Sequence, residues 1–139
     1  MNNYKTAIIQ SAKMLYRSIP TLIGIMLLIG LVSTLIPKSF YVSIFTSNEL
    51  LNSFLGSVIG SIMAGNPLTS YVLAGEFISK GIGIIAATAF IVSWVTVGLV
   101  QLPAEMMILG KTFAIKRNIL SFVFSIITAL VTGIIMGLI

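Results

Sequence analysis

Cysteine and histidine are both absent from the 139 residues. Their absence excludes disulfides, thiolate nucleophiles, imidazole metal sites and an imidazole proton shuttle. Acidic residues are scarce: Glu49, Glu76 and Glu105 are the three, and they are far apart in the chain. Without paired carboxylates or a nucleophile beside a base, the sequence offers no enzyme chemistry, and no catalytic residue, metal or cofactor is assigned. Charged residues make up only 8% of the chain against 58% hydrophobic ones, with a mean hydropathy of +1.13. Such a surface would leave far too much apolar area in water, so the expectation is an all-α integral membrane protein. The net charge of +5 comes from Lys and Arg that flank apolar runs and line no groove with aromatics, which argues against a nucleic-acid partner.

The apolar runs divide the single membrane domain. Residues 1–17 carry Lys5, Lys13 and Arg17 among Ile8, Ile9, Ala12 and Leu15, as an amphipathic helix lying in the headgroup region would. A cleaved leader is not expected, since the next apolar run is too long and lacks an A-x-A site. Residues 18–37 hold no charge over about 30 Å of helix and predict a first transmembrane span. Lys38 follows, and 40–48 reads as an interfacial connector. Residues 81–102 and 119–139 predict two further full spans, joined by a connector over 103–117 in which Pro103 and Glu105 open a short interfacial helix. Trp94 lies well inside its span, where the indole N–H is expected to find a protein partner.

Residues 50–80 contain the feature around which the rest is organised. The stretch Gly60-Ser61-Ile62-Met63-Ala64-Gly65-Asn66-Pro67-Leu68-Thr69-Ser70-Tyr71 breaks an apolar run with residues that lipid alone does not accommodate. Asn66 as N-cap and Pro67 at the first helical position start a new helix, so a helical hairpin broken at 65–67 is predicted. Its arms, 50–65 and 67–80, reach about 24 and 21 Å, short of a ~30 Å core, which suits a re-entrant hairpin or two short crossings. A hairpin entering and leaving on one side puts Lys5, Lys13, Arg17, Lys111, Lys116 and Arg117 on one face and Lys38 and Lys80 on the other. A single kinked span would erase that bias. The positive-inside rule then places the N-terminus in the cytoplasm of a multi-pass protein of the cell membrane.

The break supplies the candidate substrate-binding residues. Broken helices in transporters present free N–H groups at one half-helix terminus and carbonyls at the other, so Gly65, Asn66, Pro67, Thr69 and Ser70 can bind solute at the tip. A purely structural tip buried against protein is the alternative. Glu76 joins the list as an acidic residue near membrane depth, although Lys80 at i+4 offers a simple local partner. Gln101 and Glu105 complete it at the end of the following span, Glu105 also being readable as a carboxylate that stabilises a helix start. Gly56 with Gly60, and Gly133 with Gly137, have the spacing of close helix packing.

Two stretches, 60–71 above and Trp94-Val95-Thr96-Val97-Gly98-Leu99-Val100-Gln101-Leu102-Pro103-Ala104-Glu105, resemble the prokaryotic predicted-permease family related to the organoarsenical efflux permeases. The resemblance implies a membrane permease of unassigned substrate. Members of that family have about twice this length and two related halves, so the resemblance implies a half-length chain. Arsenic is not carried over, because no cysteine is present to bind it. The expected function is a half-size permease subunit that moves a small-molecule solute, pairing with itself or with a related half-permease chain as in inverted-repeat transporters. A non-transporting membrane scaffold or assembly subunit is the alternative. In either, the Gly56-x-x-x-Gly60 arm and the tip are expected against a neighbouring subunit in an oligomer.

Overall fold

A computed structural model describes residues 2–35, 43–63 and 67–138. Every described regular element is an α-helix, and the chain divides into two units, 1–36 and 37–139. The first unit is one continuous helix, α1 (Asn2–Leu35), which runs through the expected boundary at 17/18 without a break. Pro20 removes one intrahelical bond without ending the helix. Pro37 and Lys38, expected to stop the first span, lie outside the described residues.

The second unit contains α2 (Glu49–Ile62), α3 (Pro67–Ser79), α4 (Ile84–Thr96), α5 (Leu102–Leu109) and α6 (Lys111–Ile135). Asn48 caps α2, its Oδ1 accepting from Leu50 N–H at 3.0 Å and Leu51 N–H at 3.3 Å, while Asn52 and Thr46 exchange two bonds that fasten the incoming chain. Pro67 opens α3, and its end is a Schellman turn. Gly81 sits at φ +94°, its N–H bonds Ile78 O, and Ile82 N–H bonds Phe77 O with the Ile82 side chain buried. The same device closes α6 at Gly137, at φ +67°, through bonds from Gly137 to Ile134 and from Leu138 to Gly133. Gly137 was expected to pack a helix; it is exposed and ends one instead, while Gly133 is buried.

Helix α4 is the hub, packed by α2, α3 and α6. Gly56 meets Ala86 and Gly60 meets Phe90 and Trp94, so α2 runs parallel to α4. Ile85 and Ala89 cluster with Ala129 and Gly98 meets Asn118, so α6 runs antiparallel to α4, while the four-residue link after Ser79 turns the chain from α3 into α4, where Phe77 meets Phe90. The two hairpin arms therefore flank α4, each packed chiefly on it and not on the other arm.

The α2–α4 seam is made of small residues. A Cβ on Gly56 would strike the Ala86 carbonyl, and one on Gly60 the Phe90 carbonyl. These glycines are used within the chain, which corrects their expected place against a neighbouring subunit. Ser93 Oγ donates to Ser57 O at 2.6 Å, and the Ser57 and Ser125 hydroxyls are 2.8 Å apart, all three side chains fully buried. In an apolar surrounding each such interhelical bond is worth about 0.6 kcal/mol, and close backbone contact supplies the rest.

The expected span over 81–102 is shorter in the structure. Helix α4 has 13 residues, about 20 Å, because the Gly81 turn and the Gly83 cap delay its start and Gly98 turns its N–H to the Asn118 side chain. Helix α6 starts earlier than expected, taking in Lys111, Lys116 and Arg117 from the connector. With 25 residues it is, among the described residues, the one helix long and apolar enough to cross a membrane. Leu120, Phe124, Val131 and Ile134 remain exposed on it, as lipid contact would require. Composition and this helix point to a membrane protein.

Candidate functional site at the helix break

The end of α2 lies at the level where α4 ends and the charged turns of α6 begin. Ser61 O accepts from Leu99 N–H at 3.4 Å, joining the end of α2 to the chain just past α4. Gly65 and Asn66 lie outside the described residues, as does the expected Asn66 cap. Pro67 is exposed at the start of α3, while Thr69 and Ser70 are buried, and Ser70 Oγ spends its proton on Pro67 O at 2.7 Å.

Trp94 belongs to a buried cluster with Ala74, Ala87 and Phe90, against which Ile59 and Leu73 pack, and meets Phe90 edge-on at 5.4 Å. It is 8% exposed, and its Nε1 has no acceptor among the described residues. The expected protein partner for this indole is therefore not found there.

Near the end of α2, Glu105 ties α5 to α6, and Arg117 ties α6 to α4. Glu105 Oε1 lies 3.1 Å from Arg117 Nη2 and its Oε2 accepts from Asn118 Nδ2 at 3.1 Å. The same Arg117 nitrogen donates to Thr96 O at 3.0 Å, placing a cation on the negative end of α4. Asn118 Oδ1 accepts from Gly98 N–H at 3.1 Å, and its amide also donates to Ala114 O. The Glu105 side chain is 16% exposed and that of Arg117 38%, so the pair is partly shielded and neutral as a unit. Gln101 is exposed in the turn between Gly98 and α5, where its side chain lies against Gly98.

An apolar cleft of about 400 Å³ opens between these ends, lined by Ile62, Val97, Leu99 and Phe122 with Ser61 and Asn118 as its polar groups. Gln101 and Glu105 thus gather near the end of α2. Glu76 does not: it sits toward the opposite end of α3, 3.6 Å from Lys80. Asn118 and Arg117 carry the geometry of this end, yet the sequence marks only Arg117, as a charge flanking a span. The available signal was an asparagine placed directly after Lys116 and Arg117 at the head of an apolar run, with Glu105 the nearest acid.

No family model matches the chain, and no solved structure matches it. A sequence relative is the UPF0718 protein MJ0584 of Methanocaldococcus jannaschii, 26% identical over 117 residues. The match covers 84% of this chain and 32% of that protein, so the chain spans about a third of the relative's length.

Proposed function

We propose that the chain is a half-size membrane permease subunit that takes a small, as yet unassigned solute at the α2–α3 break, working with a second copy or a related half. The observation that supports this reading is an apolar cleft at the end of α2 whose polar groups are Ser61 and Asn118. A helix end and a few fixed polar groups around an apolar cavity are elements of a solute site, and a half-helix start at Pro67 follows in the chain. Similarity to the UPF0718 protein over most of the chain supports a permease-family relationship. One observation favours the scaffold reading: both Glu105 oxygens and the Asn118 side chain are already satisfied inside the chain.

Flux separates the two. Sealed liposomes carrying the purified chain are expected to release some members of a broad panel of small solutes, and Asn66→Ala is expected to abolish that release with folded protein retained. Tight vesicles across the whole panel would favour the scaffold, and full flux in the variant would remove Asn66 from the site.

The charge bias also fixes orientation in this reading. In sealed cells, a cysteine at position 2 is expected to be protected from an impermeant thiol reagent and one at position 39 to react, the native chain contributing no background thiol. Labelling of both from outside would overturn the topology.

A further inference from the structure

A second groove, of about 320 Å³, lies between α4 and α6 and is lined by Val92, Leu120, Ser121, Phe124 and Thr128, with Arg117 at one end. From Arg117 to Thr128 the helix rises about 16 Å, half of a ~30 Å hydrocarbon core and so the depth of one leaflet. The hydroxyl of Thr128 is turned back to Phe124 O and that of Thr96 to Val92 O, which leaves the groove wall effectively apolar. Arg117 holds Glu105 and Thr96 O through Nη2, and its buried Nε has no acceptor among the described residues. The same end of α6 carries exposed Lys111 and Lys116, three cations against the single carboxylate of Glu105.

From this juxtaposition we infer that the α4–α6 groove binds one anionic phospholipid, its phosphate against Arg117 and the neighbouring lysines and one acyl chain along Leu120, Phe124 and Thr128. Charge complementarity selects the headgroup. A phosphate presents acceptors to a guanidinium on a side chain that is 38% exposed, and a zwitterionic headgroup would bring its own cation into an already positive end. The apolar wall selects a lipid over a free anion, since inorganic phosphate gains nothing from Leu120 or Phe124.

Native mass spectrometry and thermal unfolding of the whole purified chain test this with three probes: phosphatidylglycerol, phosphatidylcholine and inorganic phosphate. Phosphatidylglycerol is expected to remain bound one per chain and to raise the unfolding midpoint, with little effect from the other two. Arg117→Gln should weaken phosphatidylglycerol binding about fivefold, the loss of one cation near an anionic surface, while Arg117→Lys keeps most of it. Ser121→Trp, which fills the groove and leaves the Glu105 contacts alone, should remove bound lipid without lowering the midpoint of the lipid-free chain. Equal shifts with phosphatidylcholine would overturn the role of Arg117. A phosphate shift equal to that of the lipid and insensitive to Ser121→Trp would overturn the groove. Retention of phosphatidylglycerol by Ser121→Trp would do the same, and a lipid-free two-chain mass broken by that variant would make the groove a self-interface instead.

Discussion

Gly60→Leu should destabilise the second unit by about 3 kcal/mol, lowering its unfolding midpoint sharply. A Cβ at Gly60 meets the Phe90 carbonyl, and that carbonyl cannot swing aside because it belongs to the backbone of α4, which three other helices grip. Overpacking a well-packed interior costs about 1–3 kcal/mol and occasionally more; against rigid backbone the upper end applies, a large share of a typical ~5–15 kcal/mol stability. Gly56→Leu meets the Ala86 carbonyl in the same way. Gly75→Leu is the control, since Gly75 is exposed with nothing within 4 Å of its Cβ position, and its midpoint should stay within about 1 kcal/mol of the parent. Size-exclusion profile and thermal midpoint in mild detergent read the result. A Gly60→Leu chain that keeps the parent midpoint and has merely changed its oligomeric state would contradict the packing described here.

The second large effect is expected at Glu105. Glu105→Ala strips Arg117 of its counter-ion and leaves Asn118 only the Ala114 carbonyl for its amide. Breaking a fully buried pair costs about 3–5 kcal/mol; with Arg117 more than a third exposed, about 2 kcal/mol is the expected loss. Because the two residues share one contact, Glu105→Ala with Arg117→Ala should be less destabilising than the sum of the single changes, by about 1 kcal/mol. A double-mutant cycle by thermal or denaturant unfolding measures this directly. Additivity within about 0.5 kcal/mol would mean that the pair contributes nothing to the fold.

What could be read in the sequence was local. Pro67 announces a helix start through its own backbone chemistry, Pro103 and Glu105 announce α5, and Lys80 four residues after Glu76 announces their pair. What could not be read was long-range. Hydropathy alone gives no means of knowing that the run over 81–102 yields a 13-residue helix, because its C-terminal end is set by a side chain 20 residues away, at Asn118. Gly56 and Gly60 advertise close approach but not its partner, and the structure assigns them to Ala86 and Phe90 of the same chain. Gly133 and Gly137 share that spacing and separate in role, since the backbone turns left-handed at Gly137. Of the candidate site, Gln101 and Glu105 could be named from the sequence. Their gathering with Arg117 and Asn118 depends on α4 and α6 running antiparallel, which no motif states.

The central claim is that solute passes by the α2–α3 break, and a cysteine-free chain allows a direct measurement of it. In liposomes where the chain supports flux, Asn66→Cys and Gly75→Cys are each labelled to completion with a bulky maleimide. Flux should fall to the protein-free level when position 66 carries the adduct and remain unchanged when the exposed position 75 does. Undiminished flux through fully labelled Asn66→Cys would contradict the account.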